Sequence, residues 1–187
     1  MLNLTNVMQT KIAILRGINV GGHRKILMAD LRQLLETLGL KNVKTYIQSG
    51  NVIFKSDNSN TQLENEITEV IKTHFGFDVP VSVRSQAELS LIIEQNPFNK
   101  DDVDSSKLHI TFLKSAPNKR EVEALDVNTS LPDQFSIIDK TVYLCLEKKY
   151  HESKLSTNFF EKKLNIGATT RNWKTTLKVI ELCKKLD

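Results

Sequence analysis

Eight residues in one short stretch combine the types that hold an anion. In LRGINVGGHRKILMADL, residues 15–31, Gly17, Gly21 and Gly22 stand among Arg16, Asn19, His23, Arg24 and Lys25. Glycine lets a backbone turn left-handed and come close to a ligand, and successive loop N–H groups form anion-binding concavities. Arginine adds forked donors suited to phosphate or carboxylate. Histidine is the side chain that ordinarily titrates near neutrality, which makes His23 the candidate acid or base if the site is catalytic. The plainer alternative is a tight irregular turn in which Asn19 bonds its own loop backbone.

Named phosphate motifs do not fit. Gly17 and Gly22 have the G-x-x-x-x-G spacing, but His23 and Arg24 follow where a P-loop needs Lys and Ser/Thr. No G-x-G-x-x-G occurs, so a dinucleotide fingerprint is absent. No G-x-S-x-G nucleophile elbow is present either. His23, His74, His109 and His151 are scattered, without a helix-spaced pair. Neither a metal nor a cofactor is therefore expected. Cys145 and Cys183 lie in apolar patterns and read as buried thiols.

Two further polar clusters accompany the loop. Residues 48–51, QSGN, form a turn between two apolar runs. In a ferredoxin-like unit this turn is expected at the sheet end opposite the Gly-rich loop. Residues 169–175, TTRNWKT, hold the only Trp of the chain. Arg171 and Trp173 are candidates for stacking on a planar ligand. Trp173 could equally anchor the last helix, with Asn172 as its N-cap.

The elements that must carry these residues follow from apolar periodicity. KIAIL at 11–15 reads as a strand. Leu27, Leu31, Leu34, Leu35 and Leu38 form a helical face that stops at Gly39. Residues 43–47 and 52–55 make a hairpin. Thr61-Gln62-Leu63-Glu64 reads as a capping box that opens a helix ended by Gly76. A strand at 79–84 and a helix opened by the box Ser85-Gln86-Ala87-Glu88 follow, and Asn96-Pro97 stops that helix. The polar stretch 96–107 reads as a linker. The order then restarts. A strand at 108–113 leads to a helix with Pro117 in its first turn. A hairpin turns on Asp139-Lys140, and Leu155, Phe159, Phe160 and Leu164 form a helical face. A short extended segment at 168–173 precedes a last helix with Leu177, Ile180, Cys183 and Leu186.

Each half reads strand, helix, strand, strand, helix, strand, helix. Its first six elements are the split βαβ order of a ferredoxin-like sandwich. The expected fold class is α+β: two tandem ferredoxin-like βαββαβ units, 1–98 and 99–187, with antiparallel sheets and helices mainly on one face. The repeat is one of element order rather than of residue identity.

Composition bounds the rest. The chain has 187 residues, 40% of them hydrophobic, and a formal charge of +4. A chain this long can bury a core without disulfides or metal. The mild positive charge suits an anionic small molecule or nucleic acid as partner. No apolar run approaches the roughly 18 residues of a membrane span. The first eleven residues lack the features of a signal peptide. A cytoplasmic protein without a membrane partner is expected, its oligomeric state left open.

Several of these stretches carry a family resemblance. LRGINVGG with the following KILMADL, the hairpin VKTYIQSGNVIF, Asn96-Pro97-Phe98 and the late TTRNWKT closely resemble the bacterial domain-of-unknown-function family 1697. The resemblance covers nearly the whole chain. It implies a small cytoplasmic-type α/β protein of about this length and brings no catalytic mechanism, cofactor or substrate with it. The leading expectation is a binding module for an anionic, phosphate-bearing or nucleotide-like ligand, nucleic acid included. The alternatives are an enzyme acting on a phosphorylated or carboxylated small molecule with His23 as acid or base, and a protein-interaction module.

Overall fold

In the computed structural model, residues 8–125 and 131–186 are described. The reading of the N-terminus falls largely on residues 1–7, outside the described residues. The chain forms two compact units: Met1–Ser90 with Val179–Asp187, and Leu91–Lys178.

In the first unit, β1 (Gln9–Leu15) leads through the Gly-rich loop to α1 (Met28–Thr37). Then come β2 (Lys41–Tyr46), β3 (Asn51–Ser56), α2 (Asn60–Phe75), β4 (Val81–Ser85) and α3 (Gln86–Glu94), whose residues from Leu91 are counted with the second unit. The sheet order is β2-β3-β1-β4, antiparallel throughout. Ala13, Leu15, Val52, Phe54, Val81 and Val83 alternate onto one sheet face. They pack with Leu31, Leu35, Leu63, Ile67 and Ile71 from α1 and α2. Period-2 strands and period-3.6 helices thus bury their apolar faces together, each large aliphatic side chain contributing about 2 kcal/mol.

The second unit repeats the plan with β5 (Leu108–Leu113), α4 (Lys119–Glu123), β6 (Gln134–Ile138), β7 (Thr141–Cys145), α5 (Thr157–Leu164), β8 (Ala168–Asn172) and α6 (Trp173–Lys184), whose residues from Val179 are counted with the first unit. Its sheet order is β6-β7-β5-β8. Leu113, Val142, Leu144 and Ala168 pack with Leu155, Phe160 and Leu164. These are the two tandem ferredoxin-like α+β units expected from the sequence. Among the described residues no helix is long and apolar enough to cross a membrane.

Equivalent positions share more than element order. Pairing sets Leu15 opposite Val81 and Leu113 opposite Ala168, which aligns Arg84 with Arg171 and Ser85 with Asn172. Both arginines donate to the carbonyl of the preceding residue, at 2.8 and 2.9 Å. Ser85 accepts from the Glu88 N–H and Asn172 from the Thr175 N–H, so each caps the helix that follows. In each unit a helix glutamate reaches an edge strand: Glu64 accepts from Val83 N at 2.8 Å, Glu161 from Ala168 N at 3.0 Å.

That glutamate corrects one cap. Ser59, not Thr61, caps α2 through Gln62 N, because the Glu64 carboxylate is committed to β4. The box at Ser85–Glu88 forms as expected, with Ser85 N donating to Glu88 at 2.6 Å. Helix α4 is shorter than its pattern suggests. Pro117 precedes the Asn118 cap instead of lying in the first turn. Cys183 is buried and Cys145 half-buried, and neither is in a disulfide.

Candidate functional site

The Gly-rich loop occupies residues 16–27, between β1 and α1. Its path needs left-handed backbone at Gly17, Gly21 and Gly22, with φ of 69°, 59° and 79°. Asn19 and Arg24 also take positive φ, 55° and 46°. Val20 and His23 close the tip, His23 N donating to Val20 O at 3.0 Å.

Asn19 holds the loop in shape. Its Nδ2 donates to Ile26 O at 2.9 Å and to Gln48 O at 3.0 Å, and its Oδ1 accepts from Ile26 N at 2.8 Å. Asn19 thus serves its own loop, as the plainer alternative holds, and also joins that loop to the hairpin turn. Both side-chain protons are committed to backbone, so Asn19 positions other groups.

The bond to Gln48 overturns one expectation. The turn after β2 lies at the same sheet end as the loop after β1. Strand β3 is antiparallel to both β1 and β2, so β1 and β2 run in the same direction and finish together. Leu15 N donates to Gly50 O at 2.8 Å. Gly50 has φ 82° and packs so closely that a Cβ there would lie 2.7 Å from Leu15 Cβ.

A groove of about 370 Å³ opens where the two loops meet. Asn19, Gly22, Lys25 and Gln48 form its polar side, and Ile26, Leu27 and Met28 its apolar side. Helix α1 starts at this groove. Its N-cap is Leu27, which has no side-chain cap. The first-turn N–H groups of a helix have no intrahelical partner, and the positive end of the helix dipole lies there. Asp30 is the acidic residue of that turn. Leu27, read from sequence as part of the apolar helix face, is 71% exposed. The signal for this was an Ile26-Leu27-Met28 run where a Ser, Thr, Asp or Asn cap belongs.

The other candidates are distributed as follows. Arg24 is half-buried, and its Nη1 lies 3.5 Å from Arg16 O and packs beside Gly17. Arg16 is also half-buried, and its N–H donates to Pro80 O. His23 is exposed, and the groove lining does not include it. Arg171 and Trp173 belong to the second unit. Burial draws Arg171 down to about 10, which leaves it charged at neutral pH. Trp173 is 2% exposed at the start of α6, so its ring faces are not offered to a ligand. Among the described residues no group of three His, Cys, Asp or Glu could hold a metal ion.

The turn itself is unusual. Ile47 has φ 50° and is 48% exposed. A β-branched residue in the left-handed region costs about 1–2 kcal/mol, which Gly or Asn would avoid.

The fold has a close counterpart. The chain is similar to the conserved bacterial protein SP0830 from Streptococcus pneumoniae, with 27% identity and a TM-score of 0.72. The match covers 95% of this chain and 99% of that one. A comparison with curated proteins finds no match. Residues 8–143 match the family described as "Protein of unknown function (DUF1697)" and include the loop, the hairpin and both units' first strands. The chain therefore belongs to the DUF1697 family.

Proposed function

We propose that the protein is a binding module for a phosphate-bearing anion, with the groove at the end of β1 as its site. One observation carries the reading. The Gly-rich loop, the uncapped start of α1 and the hairpin turn converge on one groove that has Lys25 on its wall. Backbone donors and a helix N-terminus favour a compact anion, and Lys25 adds a mobile cation. Gly17, Gly21 and Gly22 allow the path, and Arg16, His23 and Arg24 add positive character around it.

The second unit's Arg171 and Trp173 are not needed for this reading. An acid–base role for His23 has less support, because an exposed imidazole outside the groove is not oriented on a bound substrate.

The test is a titration of isotope-labelled protein with inorganic phosphate and with a short oligonucleotide over a salt series. Shifts of the Gly22, Lys25 and Met28 amides on adding phosphate, reduced in Lys25→Gln, are expected. A steep log–log salt slope with the oligonucleotide marks nucleic acid as the source of the phosphates. Unmoved amides with both additions at low salt overturn the proposal.

A further inference from the structure

We infer that this end of the first unit docks on the surface of an anionic lipid bilayer, the phosphates of the lipid headgroups being the anion of the proposed function. The inference rests on that function and adds a second set of residues to it.

Exposed aliphatic side chains gather here. Val20 is 61% exposed, Leu27 71% and Ile47 48%. Val20 adjoins Asn19, Ile47 adjoins Gln48, and Leu27 lines the groove that Asn19 and Gln48 share. The Asn19 to Gln48 hydrogen bond holds the two loops together, so the three tips are carried by one braced structure. The other exposed large hydrophobics, Met8, Leu91, Leu131 and Leu177, lie in other segments of the chain.

Charge selects the partner. Residues 16–27 and 47–50 contain Arg16, His23, Arg24 and Lys25 and no carboxylate. Basic side chains beside an anionic leaflet and aliphatic tips at the acyl boundary are the two terms of interfacial binding. Neither loop contains Phe, Tyr or Trp. Single-stranded nucleic acid relies on aromatic stacking platforms, so it makes poor use of these aliphatic tips. A stable protein interface needs about 800 Å² per partner, far more than three separated tips supply. A scan for apolar runs does not register this face, because its aliphatic residues are separate in the chain.

The experiment uses the full chain with vesicles of phosphatidylglycerol mixed into phosphatidylcholine, with phosphatidylcholine vesicles and with inorganic phosphate. Cosedimentation is expected with the mixed vesicles and not with phosphatidylcholine alone. Val20→Ser and Ile47→Ser should each lower the vesicle partition coefficient about fivefold. Lys25→Gln should lower it by a similar factor, about fivefold. Leu91→Ser, an exposed aliphatic residue of α3, should leave it unchanged, with circular dichroism confirming that every variant is folded. Inorganic phosphate should still shift the loop amides in Val20→Ser and Ile47→Ser, which lie outside the groove lining, and shift them less in Lys25→Gln.

Phosphate shifts without vesicle binding overturn the bilayer and leave the anion site standing. Vesicle binding that ignores both serine substitutions overturns the bilayer as well. So does an oligonucleotide that displaces the protein from vesicles and binds the serine variants as tightly as the parent. No response to vesicles or to phosphate overturns both readings.

Discussion

The crossover from β1 to α1 and the crossover from β5 to α4 join equivalent elements, yet they are built differently. The first takes residues 16–27, with three left-handed glycines, and enters a helix whose cap position is Leu27. The second takes residues 114–118 and enters a helix closed by a full capping box, Asn118 with Glu121. The hairpins differ in the same sense. Residues 47–50 form the first turn, with Ile47 and Gly50 at positive φ, while Asp139 and Lys140 suffice for the second.

What the units share shows what the fold needs. Leu15 N to Gly50 O, 2.8 Å, corresponds to Leu113 N to Lys140 O, 2.9 Å. Arg16 N to Pro80 O corresponds to Lys114 N to Gly167 O, both 2.9 Å. These bonds form with or without the long loops. The extra residues of the first unit are therefore not required by the topology. Both sets lie at one sheet end, which is how a binding site added to a scaffold is expected to be distributed.

The largest effect should come from filling the junction of the two loops. Gly50→Ala places a Cβ 2.7 Å from Leu15 Cβ and 2.9 Å from Ile18 Cδ1 at φ 82°. A loss of about 3 kcal/mol in urea denaturation is expected. Its counterpart Lys140→Ala should change little, and an equal loss there would break the comparison.

Next is Asn19→Ala, which removes two donated bonds and one accepted bond. A cost of about 2 kcal/mol is expected. Hydrogen exchange should localise it to the Ile26 amide and leave the β1–β3 amides protected.

Exchanging the helix starts sharpens the comparison further. Leu27→Asp gives α1 the cap that α4 already has. It should stabilise the protein by about 1 kcal/mol while weakening phosphate binding, because its carboxylate takes the donors the anion would use. Asn118→Ala should cost about 1 kcal/mol and leave phosphate binding unchanged. Equal binding in the parent and Leu27→Asp would remove the helix start from the site.

The smallest effect concerns pH. Lys11 and His109 occupy equivalent positions in β1 and β5, paired with Ser85 and Asn172. Burial lowers both pKa values, from 10.5 and 6.5. The unfolded chain then binds the proton more readily, so stability rises with pH up to the unfolded value and falls on acidification below it. For His109 this window lies just below 6.5, and for Lys11 just below 10.5. Urea midpoints should therefore fall as pH drops below 6.5, and His109→Asn should flatten that slope. An unchanged slope in the variant would remove His109 as its source.

The fold was legible because it depends on periodicity. Leu31 and Leu35 recur as a helix face must, and Gly39 and Gly76 stop helices in left-handed geometry as glycine does. The Gly-rich loop was legible as a cluster of residue types. Its partner was not, since the join between Asn19 and the Gln48 carbonyl depends on strand direction. The exposure of Leu27 escaped for a related reason. Apolar spacing cannot tell the residue before a helix from its first turn, and the missing cap was the only sign. Pairing geometry was also needed to align Arg84 with Arg171, because that correspondence follows strand register.

The two helix glutamates that reach the edge strands also bear on how this protein meets other chains. An open sheet edge presents donors to any extended segment that drifts past. On β4 one of those donors is occupied by Glu64, which is 8% exposed, and on β8 one is occupied by Glu161. An intruding strand must displace a side-chain acceptor and find it another partner, which makes each edge unwelcoming. Loss of the side-chain acceptor removes that obstacle. Glu64→Ala and Glu161→Ala should therefore make the protein self-associate, seen as light scattering that rises while the far-ultraviolet circular dichroism is still native.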